Sequence, residues 1–586
     1  MWAKKAVLRL IFMLGVGLIF GLMAFLSIQT GLVHAASATP LATPHGPDRF
    51  TTMTVKFTKY AWWMVDWKKN AVHCAFWVEH DDLPFDEEVA SACGQDLFND
   101  WKNNSAPCGE KNITKCKGYY LVKVNSKSAS KTVSVILPPP EVWISLEDCQ
   151  PDPDGWCTGE PTLVLKGVEP LPNEKITGIQ GFVGSDPFTC AGQVCRFKLK
   201  ETDPQGIRLN FWAYSTYGDS SEVFTALLRV LSDKTDPGRL TSRLFVDVLS
   251  TQWTGQPAAS CAETWESFPP PDGLPEWLTT PETSAGLQSN IPYAYLAGNL
   301  ISQGVVDVSA CPDGGLLPGG TASSCGLKAS QSIVDEWQNR FDDLIFKVAN
   351  DNQFPAQLLK NLFSRESQFW PGVFRNSKDV GLGQLTDGGA DTALLWNPSF
   401  YSQFCPLVLT KHVCVTKGYS NLRPSQQALL RGALVRSVDA SCSTCPLGLD
   451  LSRADFSVGV FAHTLLANCE QTGKVVQDIT GDAPGRTVSY EDLWRLTLVN
   501  YNAGPGCLSD AVQTTSDSGE DLTWDNISAS LSQEQACKGA VSYVNDISQV
   551  GGQSEATATP TPEDIPGDLT PTPQDSGDIT PTPPGG

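Results

Sequence analysis

Pro355-Ala356-Gln357-Leu358-Leu359-Lys360-Asn361-Leu362-Phe363-Ser364-Arg365-Glu366-Ser367-Gln368-Phe369-Trp370 is the stretch on which the reading of the C-terminal half turns. A proline suits the start of a helix, because its fixed φ is already close to helical and its missing N–H is not needed there. Leu358, Leu359, Leu362 and Phe363 then recur at helical spacing and form a stripe to be buried. Glu366 falls at the end of that helix, packed by Leu362 and Phe363 and flanked by Phe369 and Trp370. A carboxyl group in such surroundings loses the water that stabilises its charge, so it keeps its proton to higher pH. Glu366 therefore stands where a carboxyl could keep its proton, against the plain alternative of a surface helix glutamate. Upstream, from Ser330, the residues Ile333, Trp337, Phe341, Leu344, Ile345 and Val348 fall on one helical face, so helix is expected from about residue 329 onward.

Two further segments follow: Gly381-Leu382-Gly383-Gln384-Leu385 and Asn500-Tyr501-Asn502-Ala503-Gly504-Pro505-Gly506. Together with Ser364–Trp370 they resemble, in order and spacing, the catalytic domain of soluble-type lytic transglycosylases in the lysozyme-like superfamily. That family shows a Glu-Ser at a helix end, then Gly-Leu-Met-Gln, then Ala-Tyr-Asn-Ala-Gly. The Tyr543-Val544 pair in a closing helical stretch also fits the end of the family's domain. No one of these motifs is decisive; the ordered set, spanning roughly residues 330 to 550, carries the resemblance.

The resemblance implies a mainly α lysozyme-like domain over 329–550 that binds peptidoglycan glycan strands and uses neither a metal nor another cofactor. It implies that Glu366 protonates the glycosidic oxygen and then acts as base. Ser367, Gln384, Tyr501 and Asn502 are the implied substrate-binding residues. Tyr501 and Asn502 would face Glu366 across the cleft, with Tyr501 bonding either the carboxyl group or the substrate's N-acetyl. Glycines at 381 and 383 would let the backbone come close to a sugar, and Gly504-Pro505-Gly506 would end the helix carrying Tyr501.

The chain departs from the family in two places. Gly383 stands where the family has Met, and residues 397–450 form a long insertion with Cys405, Cys414, Cys442 and Cys445, readable as a lid or cleft wall. The helical run Phe456 to Leu466 resembles the family's usual helix before its Tyr-Asn segment. The implied bond is the β-1,4 link between N-acetylmuramic acid and N-acetylglucosamine. Ordinary glycosidases supply a second carboxylate, whereas this family lets the substrate's N-acetyl and 6-hydroxyl groups replace it and forms a 1,6-anhydro product. Asp379 and Asp387 flank the Gly-Leu-Gly-Gln segment, and Asp387 holding a water would make the chain a hydrolase like goose-type lysozymes. A third reading is a non-catalytic glycan-binding envelope scaffold working through the N-terminal domains. Trp62, Trp63 and Trp67 could stack on sugars there, although tryptophans are more often core.

Moving outward, residues 51–137 hold short strand-like runs, such as Met53-Val55-Phe57 and Tyr120-Val122-Val124, around Cys74, Cys93, Cys108 and Cys116. Pro138-Pro139-Pro140 marks a boundary. Beyond it, period-two alternation at Val142/Ile144/Leu146, Leu163/Leu165, Cys195/Phe197/Leu199 and Ile207/Leu209/Phe211/Ala213 reads as an immunoglobulin-like β-sandwich over 138–235. Its last hairpin is expected between Phe211–Tyr214 and Val223–Val230. Residues 236–328 are rich in Pro, Gly and Ser, with few periodic stretches. The fold expected is thus multidomain: N-terminal β-rich modules followed by the mainly α domain. From about residue 551 to 586 the chain repeats Thr-Pro without Lys, Arg, Cys or aromatic residues, and a disordered tail is expected.

The chain has 586 residues, enough for three to four domains. Its net charge of −22 argues against nucleic acid, whose phosphates need clustered Lys and Arg. Lys4, Lys5 and Arg9 precede an apolar run from Leu10 to Ile28 and small residues at Ala35-Ala36, which reads as an export signal over 1–35. The run is also long enough for an uncleaved membrane anchor. Residues 36–50 read as a linker, and either reading of the start places the rest outside the cytoplasm, secreted or held at the cell surface. Eighteen cysteines agree, since they pair in oxidising compartments. Cys442 and Cys445 form a CxxC without a second CxxC or paired histidines, so a disulfide is expected there. Residues 51–137 and 138–235 hold four cysteines each. Cys261, Cys311 and Cys325 number three, so full local pairing forces one of them to bond into the helical domain and to staple 236–328 onto it.

Overall fold

The computed structural model describes residues 49–549 apart from 105–107, 109–111, 113–114, 150–155, 158–159, 234–242, 256–260 and 374–378. The expected signal or anchor, most of the linker and the Thr-Pro tail lie outside the described residues. A β-rich N-terminal half of three sheets precedes a mainly helical C-terminal half. Among the described residues, no helix is long and apolar enough to cross a membrane.

The first module is an antiparallel sheet of β1 (Phe50–Asp66), β2 (Val72–Val78) and β3 (Tyr119–Ile136) in the order β2–β1–β3. β1 and β3 pair along their whole length, from Phe50 opposite Ile136 to Asp66 opposite Tyr119. Side chains alternate between the faces of a strand. Trp62, Met64, Phe76 and Val78 therefore share one face, buried with Val89 of helix α1 (Asp86–Cys93) and packed by Leu97, Phe98 and Trp101 of α2 (Gln95–Asn104). A disulfide between Cys74 and Cys93 ties sheet to helix. Trp62 is thus core, as tryptophans usually are; Trp63 points to the other face.

Arg49 fastens both ends of this module to the next. Its guanidinium donates to both carboxylate oxygens of Glu169, at 2.9 and 2.7 Å, to Asp219 at 2.9 Å and to the carbonyl of Pro138 at 2.7 Å. Leu137 N donates to the Arg49 carbonyl at 2.9 Å. Arg49, Glu169 and Asp219 are all buried side chains, so the arginine's fork geometry satisfies charges that would be costly alone.

The second β unit has two sheets that share one core. Strands β4 (Glu141–Glu147), β6 (Thr162–Val168) and β9 (Val194–Lys198) form one sheet. The other runs β5 (Trp156–Cys157), β12 (Leu244–Leu249), β11 (Phe224–Ser232), β10 (Ile207–Ser215), β7 (Ile176–Val183), β8 (Asp186–Ala191). Val142, Ile144, Leu163 and Leu165 of the first pack with Ile179, Leu209, Phe211 and Val230 of the second. The alternating runs read from the sequence are strands, and β10 pairs with β11 as a hairpin. That hairpin is not the last: β12 lies beyond residue 235, pairing Leu249 with Leu227, with Arg229 Nε donating to Asp247 at 2.8 Å. The β7–β8 hairpin also carries little alternation in sequence, because Gly178 and Gly181 stand where side chains would be read. A Cβ on Gly181 would come within 2.1 Å of the Asn210 carbonyl.

The helical half contains α3 (Ala294–Ser302), α4 (Ser324–Asn339), α5 (Asp342–Asn352), α6 (Ala356–Ser367), α7 (Asp387–Trp396), α8 (Pro398–Phe404), α9 (Lys411–Thr416), α10 (Pro424–Val438), α11 (Leu451–Thr480), α12 (Tyr490–Asp517), α13 (Trp524–Gln533) and α14 (Gly539–Ser548). The stripe Ile333–Val348 is split between α4 and α5; Arg340 and Phe341 form the break, and Asp342 and Asp343 open α5, where acidic groups suit a helix N-terminus. In the insertion, disulfides join Cys405 to Cys414 and Cys442 to Cys445. Arg431 of α10 holds Asp391 of α7 at 2.8 Å.

The stretch before α4 is not a free linker. Trp265, Trp277, Leu278, Leu296 and Leu300 belong to the same buried core as Leu359, Phe363 and Trp494. Trp265 is fully buried, donates to the Cys469 carbonyl at 2.9 Å and meets Trp494 edge-on at 5.1 Å. Cys261 is bonded to Cys469 and Cys311 to Cys325, which is the staple that counting the cysteines required. All eighteen cysteines are paired, a pattern that fits an extracytoplasmic location.

Candidate active site

Helix α6 is the spine of the site. Pro355 occupies its N-cap, and Leu358, Leu359, Leu362 and Phe363 are fully buried. Lys360 on the same helix is buried too, paired with Asp342 at 2.6 Å and donating to Asn339 Oδ1 at 2.8 Å, so the back of α6 is locked to α4 and α5. The helix ends abruptly because Gln368 (φ 49°) and Phe369 (φ 62°) take left-handed backbone conformations. Two such residues in succession are disfavoured without glycine, and the surroundings hold them. Trp337 Nε1 donates to the Phe369 carbonyl at 2.9 Å, Gln368 Oε1 accepts from Tyr295 N at 2.8 Å, and the Phe369 ring is fully buried.

Glu366 lies in the last turn of α6, two residues before Gln368. Its carboxyl is pushed up to about 7, chiefly by burial; the Asp379 carboxylate adds to the shift, while a hydrogen bond from Tyr543 and the charge of Arg365 oppose it. Tyr543 Oη donates to Glu366 Oε1 at 2.6 Å. Tyr543 comes from α14, which packs on α6; Arg365 pairs with Asp546 of α14 at 2.9 Å, and Asn361 donates to the Ile547 carbonyl at 3.0 Å.

The Gly-Leu-Gly-Gln segment is a tight loop closed by Val380 and Leu385, whose backbones exchange hydrogen bonds. Gly381 (φ 81°) and Gln384 (φ 52°) are left-handed, and Gln384 Nε2 bonds the Gly381 carbonyl at 2.7 Å. Glycine at 383 has a local cause: a Cβ there would meet the Phe461 ring of α11 at 2.5 Å. Phe461, fully buried, fills the space a side chain at 383 would need.

Ser367 donates to the Leu382 carbonyl at 2.7 Å and is buried. Tyr501 Oη donates to the Gly383 carbonyl at 2.7 Å. Ser367 thus holds the loop against the end of α6, and Tyr501 holds it against α12. Of the two partners open to Tyr501, the Glu366 carboxyl is bonded by Tyr543 and not by Tyr501. Tyr501 is nonetheless close enough for the charge of Glu366 to raise its pKa well above the usual value, burial being the larger cause. Asn502 is exposed, on the turn before Gly504. Gly504 (φ 80°, ψ 171°) ends the helical run that carries Tyr501, as expected, and a second run follows at once from Pro505 to Asp517, so that α12 is two helices joined at a kink. Of the two flanking acids, Asp379 acts electrostatically on both Glu366 and Tyr501, and its own pKa is raised by burial. Asp387 acts on Arg431 instead.

Tyr543 was missed as a site residue because 177 positions separate it from Glu366; only the family's closing Tyr-Val hinted at it. Its hydroxyl stabilises the charged carboxylate, so Tyr543→Phe is expected to raise the Glu366 pKa further. If Glu366 must be protonated to act, the alkaline limb of a pH–rate profile should move to higher pH, with a rate loss of roughly tenfold or less. A limb that stays put or moves to lower pH would refute this coupling.

Comparison with protein-family models, with curated proteins and with solved structures gave no match.

Proposed function

We propose that this chain is a peptidoglycan lytic transglycosylase with Glu366 as its acid/base, built as a lysozyme-like domain behind an immunoglobulin-like sandwich and acting on wall glycan outside the cytoplasm. The observation that carries the reading is a partly accessible glutamate at a fixed helix end whose carboxyl is pushed up to about 7 and bonded by a tyrosine. A group with that pKa is a competent proton donor and acceptor near neutral pH. In the first step Glu366 gives its proton to the oxygen of the β-1,4 link between N-acetylmuramic acid and N-acetylglucosamine, and that bond breaks. Charge at the sugar C1 is met by the substrate's N-acetyl oxygen. In the second step the Glu366 carboxylate takes the proton of the 6-hydroxyl as its oxygen bonds C1, giving a 1,6-anhydro end without consuming water. Tyr543 would steady the carboxylate between the steps. Gln384, Asn502 and the backbone of the 381–385 loop would line the sugar site.

Hydrolysis is the second reading, and a specific residue favours it: Asp379, partly buried and felt by Glu366. It replaces Asp387 as the carboxylate able to hold a water.

Mass spectrometry of the products from purified peptidoglycan tests both. Anhydromuramyl ends are expected. Reducing ends alone would make the enzyme a hydrolase and give Asp379 the water-holding role; intact glycan would leave the non-catalytic scaffold.

A further inference from the structure

The first sheet has an inner face that is a complete small core and an outer face that is chemically unusual. Both helices of the module pack on the inner face, around Trp62, Met64, Phe76 and Val78. On the outer face, alternation along β1 places Phe57, Lys59, Ala61, Trp63 and Val65, of which Ala61 and Val65 are buried; β2 contributes Ala75 and Trp77, and β3 contributes Val122, Lys127 and Lys131. Trp63 and Trp77 are 41 % and 42 % exposed. Each stands opposite an alanine, Trp63 opposite Ala75 and Trp77 opposite Ala61, so the two indoles are diagonal neighbours about 7–8 Å apart, not stacked on each other. Trp67 and Tyr120 meet at 4.0 Å, tilted by 32°, at one end of the row, and Phe57 lies at the other. From Phe57 to Trp67 the row runs about 33 Å at ~3.3 Å per residue.

Large exposed indoles are not needed for folding when the opposite face already holds the core, and exposed apolar clusters mark interaction sites. Lysines lie among these rings. Lys127 Nζ sits 4.3 Å from the centre of the Trp77 ring, and Lys131 sits 4.9 Å and Lys59 5.5 Å from that of Phe57. Lys59 and Lys131 share Glu79 as partner; Lys127 faces no carboxylate among the described residues. The sign is local. Residues 49–137 carry 12 Lys and Arg against 10 Asp and Glu in a chain whose net charge is −22.

We propose that this outer face is a binding platform for a linear, peptide-bearing glycan strand, separate from the cleft at Glu366. Flat aromatic rings pack against the C–H faces of pyranose rings, and a straight row of them suits a linear polysaccharide. The interspersed ammonium groups suit the carboxylates of stem peptides hanging from that strand. Trp63 and Trp77 make the sugar contacts, and Lys59, Lys127 and Lys131 supply the charge complementarity. The choice of peptidoglycan among glycans rests on the function proposed above; the platform itself does not depend on catalysis.

The test is co-sedimentation of the full-length protein with purified sacculi, for wild type, Trp63→Ala/Trp77→Ala and Lys59→Gln/Lys127→Gln/Lys131→Gln. Cleavage of short soluble glycan strands is followed in parallel. The tryptophan variant is expected to lose about tenfold or more in sacculus affinity and to cleave short strands as wild type does. The lysine variant is expected to lose affinity mainly at low salt, since exposed charges are screened. Unfolding transitions coincident with wild type show that the module remains folded, and Trp63→Phe/Trp77→Phe, which keeps flat rings, should restore most binding. Equal sedimentation of wild type and the alanine variant overturns the proposal. So does a loss confined to binding of anionic lipid vesicles, which would make the face a membrane-surface site. An inactive protein that still sediments through Trp63 and Trp77 keeps the platform and refutes only the catalytic reading; an active one whose sedimentation ignores them does the reverse.

Discussion

Glu366→Gln is expected to abolish glycan cleavage and at the same time to make the protein more stable above neutral pH. The loss should be about 10²–10⁴-fold, the range for removing a positioned proton donor. The gain follows from the raised pKa. A glutamate in the unfolded chain titrates near 4.5, whereas the Glu366 carboxyl titrates at about 7. Between those values the native state binds a proton that the unfolded state has released. The stability this group contributes is therefore fully present below about pH 4.5 and is lost as pH rises through 7. Above that, the native state carries a poorly solvated charge, at a cost on the order of 3 kcal/mol. Glutamine keeps the shape and never takes the charge. Denaturant unfolding at pH 5 and pH 8 should show variant and wild type close at the lower pH and the variant ahead at the higher. Matching curves at both would mean that Glu366 is solvated; cleavage at the wild-type rate would remove it from the chemistry.

Removing the disulfide between Cys261 and Cys469 is expected to have the other large effect. The bond closes a loop of 208 residues, and the chain-entropy account assigns such a loop roughly 2–5 kcal/mol. Trp265 next to it stays buried against Trp494 and would keep part of the contact. A Cys261→Ser/Cys469→Ser variant should thus fold but unfold earlier. A protease site placed at the exposed turn Asp272-Gly273 gives the direct readout. After cleavage the two pieces should stay together in denaturant and separate only when a reductant is added. Separation in denaturant alone would show that the bond is not made.

Much of this arrangement was legible because it is local. The stripe Leu358, Leu359, Leu362, Phe363 needs only helical periodicity, and Glu366 at its end needs only its apolar neighbours in sequence. The alternating strands Val142–Leu146 and Ile207–Ala213 are legible for the same reason. What was hidden depends on distant partners. Tyr543 reaches Glu366 only because α14 docks on α6. The split at Arg340 and Phe341 was hidden because one apolar stripe runs across both helices. β12 falls beyond the Thr235-Asp236-Pro237-Gly238 stretch, which reads as a boundary, and β7 carries glycines where the Asn210 backbone passes. Ser367 belongs to the motif, but its hydroxyl is spent on the Leu382 carbonyl inside the protein. Asp379 and Asp387 look alike in sequence; the fold turns one toward Glu366 and the other toward Arg431.

The Arg49 cluster determines how the N-terminal half would bear tension. Phe50 and Ile136 sit side by side at one end of a long two-strand zipper. A pull applied to the two chain ends there would open β1 and β3 one rung at a time, the weakest direction in which to load paired strands. Arg49 grips Glu169, Asp219 and the Pro138 carbonyl at once. A force arriving along the chain ahead of residue 49 is therefore passed into the β4–β12 unit before it reaches the first rung. The sheet bearing Trp63 and Trp77 hangs as an unloaded side arm, and such a force would leave its outer face in shape.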